Sequence, residues 1–457
     1  MGGVTFIPNQ TADEAILSGD RSTLQSSVSI LLTDIWILIK NLRYVPTTFL
    51  PLTYFEEHTA VSHDRTADIK ELSINLLIFL VELILLLATP PALLLLPGWE
   101  SLLYLTAVYA ISRILTHPTN GPNMIVTSLP PSKPHFPTEK WVFINGMGTS
   151  HRSLQLSCDA LSATFQRPIT GLHARTHGAI ADMLQSLLQH SLNLPTSPTR
   201  IAFSLLKPHL LDPGVTKVAV LAHGHGALVL ALTLDKLLLH VPWRALGKLE
   251  LYTFGSGAAW FNNPVTAALS PDPDTNNDET STRPPTTVIP VIEHYANESD
   301  AIARSGVLHG TRTCAGQRYA GRVFVRKNAA GHAFRTAYLG DMFPASSATE
   351  ARPKLSRFLD QMVDVDLGTA GRRAESVQDI GGMGSAGEGE RPLLLRRWTR
   401  RTSVRREMEG AVEEGSGRTV RQLSRLWAYV GGGGGKGDVV WAGERWGGEG
   451  IWGETRW

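Results

Sequence analysis

Hydrophobic and polar positions divide the chain into four zones. Residues 1–70 mix both kinds of position around one apolar stretch, Ser29–Leu42, which has the pattern of an amphipathic or interfacial helix. Residues 71–116 are the most hydrophobic part of the chain. Residues 120–345 alternate short apolar runs with helical patterns, and residues 366–457 are of low complexity.

The second zone predicts a helical hairpin. Its first run, Leu72–Thr89, is apolar over 18 residues, roughly 27 Å as a helix, which is close to the hydrocarbon thickness of a bilayer. Pro90 and Pro91 are expected to end this helix, and the run Ser101–Leu115 is expected to form the second one. Two interpretations are open: a hairpin in a membrane, and a hairpin buried against a globular domain.

Three features favour the membrane. The first run is apolar all round rather than on one stripe. The connection Leu93–Leu96 is apolar as well. Basic residues flank both outer ends, which predicts that both ends, and the main domain with them, face the cytosol; they are Arg65, Lys70, Arg113 and Lys133. Glu82 opposes this interpretation, since a carboxylate at the centre of a membrane helix costs about 3 kcal/mol.

The third zone has the pattern of an α/β sheet. Apolar or β-branched runs predict strands at 123–129, 140–145, 167–173, 216–222, 248–254, 288–296 and 321–327. Helical patterns lie between them, so a doubly wound sheet is expected. The polar, proline-rich segment 262–287 is expected to be a disordered insert because its few apolar side chains cannot form a core.

The fourth zone, 366–457, predicts a disordered tail. Glycine runs and tryptophans occur there without periodicity, and six arginines fall within Arg396–Arg406. An arm that binds anionic lipid or RNA is one interpretation, and a tail without a partner is the favoured one. The tail is therefore expected to be dispensable for folding.

Composition narrows the function classes. Hydrophobic residues make up 43% of the 457, enough for a sizeable core, and a net charge of +2 indicates no general affinity for nucleic acid. Two cysteines, Cys158 and Cys314, cannot form a disulfide framework. The first twenty residues lack the pattern of a cleaved secretory signal. No feature of the sequence indicates a cofactor.

The segment Lys217–Leu238, KVAVLAHGHGALVLALTLDKLL, has the shape of a nucleophile elbow, in which a strand turns sharply into a helix. The motif G-x-S-x-G requires a serine at the centre of the turn. Here the turn is Ala222–Gly226, and Gly224 stands at the serine position. A phosphate-binding loop is disfavoured because no Gly-Lys-Ser/Thr follows.

The other parts of a serine-hydrolase site have candidates in the expected chain order of nucleophile, acid and histidine. Asp300 follows the strand at 288–296 and is the candidate acid, ahead of Asn297 and Glu298. His332 follows the strand at 321–327 and is the candidate base.

Backbone N–H groups that stabilise an oxyanion are expected from the loop at Gly146 and Met147, and from His225, the residue after the nucleophile position.

Three other chemistries could use residues near this turn: a different serine nucleophile, a metal ion or an activated water. Ser256 follows the neighbouring strand and is expected to be a turn residue that misses the base. His223 and His225 form an H-x-H pair that could hold a metal with His332, but no carboxylate or cysteine accompanies them at ligand spacing, so no metal is expected. Water activated by His332 lacks the covalent step that divides a difficult reaction in two.

With these motifs, residues 120–345 and the preceding hairpin resemble a group of fungal lipase-like α/β-hydrolase proteins of unassigned activity. Their elbow reads H-S-Q-G-G. The resemblance matches His223 to the histidine before the nucleophile, Gly226 to the glycine after it, and Asp300 and His332 to the acid and base. Gly224 replaces the serine, and His225 stands where the glutamine would.

The sequence therefore predicts an α/β-hydrolase-like sheet behind a membrane-associating hairpin. Two functional hypotheses are compatible with this fold. The first is a catalytically impaired lipase- or esterase-like pseudo-hydrolase that binds membrane lipid, with an acyl ester or lipid as its ligand. The second is an active lipase or esterase that uses an unrecognised nucleophile. Losing a triad nucleophile costs on the order of 10⁶ in kcat, which favours the first. No organelle or protein partner is predicted.

Overall fold

The structure, a computed structural model, describes residues 3–9, 27–45, 65–131, 136–192, 194, 196–264, 287–313, 319–344, 356–366, 415 and 417–433. Most of the predicted insert 262–287 and most of the predicted tail 366–457 lie outside the described residues.

One mixed sheet of nine described strands forms the centre of the protein, in the order β2-β4-β3-β5-β6-β7-β8-β1-β9. The strands are β1 Val4–Ile7, β2 Ile125–Thr127, β3 Glu139–Ile144, β4 Ile169–Leu172, β5 Lys217–His223, β6 Leu249–Phe254, β7 Val291–Asn297, β8 Arg322–Arg326 and β9 Val363–Val365. The strands β4, β3, β5, β6, β7 and β8 are parallel to one another.

All seven predicted strands are confirmed, with ends that differ by a few residues. The edge strand β2 is antiparallel to β4. Two strands were not predicted: β1 pairs antiparallel with β8, and β9 pairs parallel with β1. The sheet therefore extends beyond the predicted boundaries of 120–345, because Val4–Ile7 from the predicted N-terminal region is part of it.

The helices lie between and beyond these strands. They are α1 Ser27–Asn41, α2 Arg65–Leu95, α3 Gly98–Asn120, α4 His151–Phe165, α5 Ala179–Leu192, α6 Ser197–Leu211, α7 His225–His240, α8 Trp243–Leu246, α9 Ala301–Ser305, α10 Val307–Thr313 and α11 Val420–Leu423. Short 3₁₀ segments occupy Leu42–Tyr44 and Leu426–Gly432, and a π-helical segment occupies Phe334–Gly340.

Apolar side chains fill both faces of the sheet. Along β5, Val218 and Val220 belong to one hydrophobic cluster, and Ala219 and Leu221 belong to another. Because successive side chains of a strand point to opposite faces, the two clusters lie on opposite sides. Helices α6 and α7 contribute to the first cluster and α4 contributes to the second. This two-sided burial explains why the central strands read as continuous apolar runs.

The predicted hairpin consists of α2 and α3, but the prediction that Pro90 and Pro91 end the first helix is wrong. Both prolines lie inside α2, which continues to Leu95. Each proline removes its own N–H donor, so it leaves the carbonyl four residues earlier without that partner. The helix resumes its ladder directly afterwards, where the N–H of Leu96 donates to the carbonyl of Ala92 at 2.9 Å.

Polar contacts dock one side of the hairpin onto the body. Glu82 is buried, and its carboxylate accepts a hydrogen bond of 3.0 Å from the N–H of Ile180, in the first turn of α5. Ser112 of α3 donates to the carbonyl of His177 at 2.6 Å. The Glu82 carboxylate, which would be costly in a membrane, therefore points into the protein and not outward.

The other sides of α2 remain exposed. Ser73–Leu95 is long and apolar enough to cross a membrane, with a mean hydropathy of 2.4 and 11% of its most apolar window buried. Both original interpretations thus describe part of the hairpin: one stripe packs on the body, and the rest is exposed and apolar.

The prediction of a disordered tail over residues 366–457 is wrong for residues 417–433, which fold onto the body. Val420, Leu423, Leu426 and Tyr429 are buried in the hydrophobic cluster that contains α4. These four side chains carry an apolar pattern that was overlooked among the surrounding glycines and arginines.

Charged groups fix the same segment at the amino ends of the central strands. Arg421 forms a two-bond ion pair with Asp360, at 2.6 and 2.9 Å. The hydroxyl of Tyr429 donates to Glu250 at 2.6 Å. The fully buried Arg167 donates to the carbonyl of Gly433 at 2.7 Å. Charge-assisted bonds of this kind are stronger than neutral ones.

Candidate functional site

Gly224, Asp300 and His332 come together at the carboxyl ends of three parallel strands. Gly224 follows β5, Asp300 follows β7 and His332 follows β8. The chain order of the strands reverses around β3, which lies between β4 and β5. In open α/β sheets such a switch point, at the carboxyl ends of the strands, is where ligands bind.

The turn after β5 requires glycine at two positions. Gly224 has φ +51° and ψ −115°, a backbone conformation that residues with a side chain adopt only with strain. A Cβ on Gly226 would lie 2.5 Å from the carbonyl oxygens of Ile144 and Asn145. The turn therefore packs directly against the end of β3.

Asp300 and His332 form a buried hydrogen-bonded pair. Nδ1 of His332 lies 2.8 Å from Oδ2 of Asp300, and the two side chains are almost wholly excluded from solvent. Nε2 of His332 is buried and has no hydrogen-bond partner among the described residues. Because the carboxylate accepts the Nδ1 proton, the free lone pair lies on Nε2.

Further bonds hold the carboxylate of Asp300 in place. Its Oδ1 accepts from the N–H of Ile302 at 2.9 Å, which caps α9. Its Oδ2 also accepts from the hydroxyl of Tyr338 at 2.7 Å. Burial, and then the neighbouring carboxylate, raise the pKa of Tyr338 well above its ordinary value, so the phenol keeps the proton that it donates.

The imidazole of His332 points at Gly224 and fills the space where a side chain would stand. A Cβ built on Gly224 would lie 2.6 Å from Nε2 and 2.8 Å from Cε1 of His332. The ring therefore lies too close to Gly224 for a serine to fit without movement.

His223, just before the turn, supports the ring of His332 from one side. The two imidazole centroids are 4.3 Å apart, and Nε2 of His223 donates to the carbonyl of His332 at 2.7 Å. Burial, and then the proximity of His332, lower the pKa of His223 well below its ordinary value. A neutral His223 therefore positions the loop that carries His332.

The predicted oxyanion donors lie around the same point. His225 is the first residue of α7, so its N–H has no acceptor within the helix. The Cα of Gly146 lies 3.8 Å from the Cβ position of Gly224. A Cβ on Gly146 itself would come within 2.5 Å of Nδ1 of His223, which explains the glycine there. Met147 follows in the same loop and lines the adjacent pocket.

Buried polar side chains anchor the loop that contains Gly146 and Met147. Oδ1 of Asn145 accepts from the N–H of Ala174 at 2.6 Å. Oδ2 of Asp182 accepts from the N–H of Gly148 at 3.0 Å and from the hydroxyl of Thr176 at 2.6 Å. The loop is thereby tied to the start of α5, the helix that also receives Glu82.

A pocket of about 60 Å³ adjoins the elbow. Its lining is mainly apolar and comes from α1, α5, α7, α9 and the loops beside them: Ile37, Leu38, Met147, Met183, Leu187, Leu228, Ala259 and Ile302. Polar groups reach it from Asp34, Ser186, His190, His225 and Ser305. An apolar lining with a few polar groups is typical of a small-molecule site, but the volume is below the roughly 300 Å³ at which such sites begin, so the pocket encloses only part of a larger ligand.

The side chain of His225 turns to this pocket and not to His223. Its Nδ1 lies 2.6 Å from the hydroxyl of Ser186, which donates its own proton to the carbonyl of Asp182 at 2.8 Å. Nδ1 of His225 is therefore the donor to Ser186. Burial lowers the pKa of His225, and nearby Asp182 acts in the opposite direction.

The geometry does not assemble the alternative chemistries. His223 and His225 have separate partners, and no group of three His, Cys, Asp or Glu side chains in the described part of the chain could hold a metal ion. The hydroxyl of Ser256 is fully buried and accepts from the hydroxyl of Tyr319 at 3.1 Å and from the N–H of Ala258 at 3.2 Å. These are the contacts of a turn residue.

Three contributors to the site were missed in the sequence. Tyr338 lies on the π-helical segment, which has no sequence signal of its own. Ser186 lies within a helical pattern and meets His225 only in the folded chain. Asn297 was considered only as an acid, but its amide donates to the carbonyl of Gly331 at 3.1 Å and so fixes the loop before His332.

Comparison with known protein families and with curated proteins gives no match to this chain.

Proposed function

We propose that the protein is an α/β-hydrolase-like, membrane-associated pseudo-hydrolase: a lipase- or esterase-like scaffold that retains an acid–base pair and has lost its nucleophile. One observation carries the proposal. Asp300 holds Nδ1 of His332 at 2.8 Å while the opposite nitrogen points at Gly224. This is the arrangement of base and orienting acid in a catalytic triad.

The strand connections support the same scaffold. The strand-turn-helix of β5 and α7 corresponds to a nucleophile elbow, and the acid and histidine follow in the chain order of α/β hydrolases. The strained conformation of Gly224, with φ +51° and ψ −115°, is what such an elbow imposes on its central residue.

Glycine offers no atom that could attack a carbonyl carbon, so no covalent intermediate can form at position 224. Losing the nucleophile of a triad costs on the order of 10⁶ in kcat. The oxyanion donors and the pocket do not depend on the missing hydroxyl, and they can still bind a carbonyl-containing ligand. The apolar lining favours an acyl ester or another lipid, bound with its carbonyl toward Gly146 and His225.

A fluorophosphonate probe tests this proposal, because it reacts covalently with an activated serine. Purified full-length protein should form no adduct. The matched control is Ser186→Ala, which should behave in the same way as the parent. A stoichiometric adduct on the parent protein would show that an active nucleophile exists, and mass spectrometry would locate it.

The hydrogen bond between Ser186 and His225 favours a second candidate function, an active serine esterase with an unrecognised nucleophile. Both side chains line the pocket, and hydroxyl and imidazole are 2.6 Å apart. We place this candidate second because the hydroxyl donates its proton to the carbonyl of Asp182 and not to the imidazole. An adduct that disappears in Ser186→Ala would establish it.

Membrane lipid is the proposed partner, and the main domain is proposed to face the cytosol. The support comes from the exposed apolar sides of Ser73–Leu95 and from the basic residues at the outer ends of the hairpin, such as Lys70 and Arg113. No nucleic acid, cofactor or metal enters the proposal.

A further inference from the structure

Four helices form one continuous layer, and two of them, α1 and α5, line the pocket. Helix α1 packs on α5, α5 packs on α2, and α2 packs on α3. The first turn of α5 donates the N–H of Ile180 to Glu82. The same helix contributes Met183 and Leu187 to the wall of the pocket. The layer is therefore directly connected to the candidate site.

Two polar side chains of α1 point into the protein. Asp34 is buried and hydrogen-bonds to His190 and Ser191 of α5. Asn41 is buried too and accepts from the guanidinium of Arg304 at 2.9 Å. A carboxylate and an amide are thus buried in a helix that exposes large apolar residues, whereas a helix on the surface of a soluble protein normally exposes its polar side.

The outward side of α1 is mainly apolar. Its large exposed apolar residues follow helical spacing at Val28, Leu32, Ile35, Trp36 and Ile39, and Leu42 continues the series in the 3₁₀ segment. The exposed polar residues of α1 are Ser27, Ser29, Thr33 and Lys40. Leu32 is 62% exposed and Trp36 is 56% exposed, so their apolar surface has no cover within the described chain.

The other three helices continue this apolar surface. Helix α5 exposes Leu184, Leu188 and Leu192 at every fourth position. The hairpin exposes Leu76, Leu77, Leu80, Ile84, Leu87, Leu94, Trp99, Leu102, Leu103, Tyr109 and Ile114. Large apolar side chains exposed along four adjoining helices are typical of an interaction surface.

The exposed charged side chains of the layer are all basic. Among the described side chains of these helices and of Leu42–Tyr44, the exposed charged residues are Lys40, Arg43, Lys70 and Arg113. The acidic residues Asp34, Glu82 and Asp182 are buried. Glu71 binds Ser150 and Arg152, and Glu100 at the hairpin tip is half-buried.

We infer that α1, α5, α2 and α3 together form a docking face for an anionic lipid bilayer, with α1 lying in the plane of the interface. Aliphatic side chains enter the acyl region, tryptophan and tyrosine lie at the level of the headgroups, and long basic side chains extend to anionic phosphates. A bilayer fits this face because its exposed charged side chains are all basic, which complements anionic headgroups.

This inference extends the proposed function, since α1 contributes Ile37 and Leu38 to the pocket while its other side meets the lipid. The ligand of the site would then be a membrane lipid with an acyl chain and not a water-soluble ester. Docking itself does not depend on the chemistry at Gly224, so it can fail or succeed independently of the proposed pseudo-hydrolase.

An environment-sensitive fluorophore at position 32 tests the docking face. Leu32→Cys in a Cys314→Ser background offers one accessible thiol, because Cys158 is buried and position 314 lies outside the described residues. The full-length protein is labelled with a nitrobenzoxadiazole dye and mixed with phosphatidylserine-containing or pure phosphatidylcholine vesicles. The control carries the dye at Leu239→Cys, an exposed position at the far end of α7.

The dye at position 32 should shift to the blue and be quenched by nitroxide lipids in the anionic vesicles, whereas the dye at position 239 should not change. Lys40→Gln/Arg43→Gln should weaken this partitioning roughly 30-fold, since each basic residue near an anionic surface contributes about fivefold. The matched Lys236→Gln/Arg244→Gln variant should not. If the vesicles bind the protein while position 32 remains in water, the hairpin alone is the anchor and the inference is wrong. Absence of vesicle binding would also overturn it.

Discussion

Nε2 of His332 lies 2.6 Å from the point that a Cβ on Gly224 would occupy. The imidazole thus occupies the space that a side chain at position 224 would need, while Asp300 holds its other nitrogen at 2.8 Å. In the proposed pseudo-hydrolase, the base itself therefore closes the nucleophile position. This relationship makes the effects of side chains at position 224 predictable.

Alanine at position 224 should destabilise the protein. Gly224→Ala combines a strained backbone with a contact to His332, and we expect a loss of roughly 1–3 kcal/mol in the free energy of unfolding. Denaturant unfolding measures it. Gly98→Ala is the matched control, because a Cβ there meets no atom within 4 Å. The double variant Gly224→Ala/His332→Ala should recover part of the loss, and an unaltered loss would argue against the contact.

The segment 417–433 should be required for stability. Leu426 is fully buried, so Leu426→Ala should cost about 2–5 kcal/mol through lost packing. A chain that ends at Asp366 should melt several degrees below the full-length protein. Equal melting temperatures for the two chains would show that this segment does not pack onto the body.

Stability should decrease as the pH falls from about 6.5 toward 4. Burial lowers the pKa of both His173 and His294 to about 4, while the unfolded chain titrates near 6.5. The unfolded state therefore binds protons that the folded state excludes within this window, and the contribution to stability present above pH 6.5 is progressively lost.

His294 provides the test of this pH dependence. Its ring bonds the hydroxyl of Thr253 and the carbonyl of Ala320, contacts that a glutamine amide can partly replace. His294→Gln should reduce the slope of stability against pH by up to about 1.4 kcal/mol per pH unit. The exposed His240 supplies the control His240→Gln, and identical slopes for all three proteins would contradict the assignment.

The fold was largely predictable because central parallel strands are buried on both faces and so carry strong apolar runs. The four-residue β1 and the three-residue β9 were not predictable, since β1 depends on pairing with β8 and β9 depends on pairing with β1. Pro90 and Pro91 gave a misleading signal, because the helix packs on its neighbours strongly enough to continue through them.

The positions of Gly224, Asp300 and His332 were predictable because each follows the end of a strand. The closeness of the imidazole to Gly224 was not, since it depends on how His223 and Tyr338 support the two loops. The packing of residues 417–433 onto the body was not predicted from the sequence. Only four buried side chains indicate it, and these are Val420, Leu423, Leu426 and Tyr429.

Residues 72–115 should keep the full-length protein in the membrane. The exposed apolar surface of α2 and α3 has a high cost in water, and the polar docking groups Glu82 and Ser112 face the body. Alkaline carbonate treatment of cell membranes measures the attachment. We expect the protein in the pellet, and its release into the soluble fraction would contradict an integral hairpin.

The most direct test of the central claim is covalent labelling of Gly224→Ser by a fluorophosphonate. If His332 and Asp300 form a competent pair, the new hydroxyl should react once the imidazole retreats, and mass spectrometry should find the adduct on residue 224. Labelling should be absent from the parent protein and from Gly224→Ser/His332→Ala. A folded Gly224→Ser protein that forms no adduct, or one that labels equally without His332, would contradict the account.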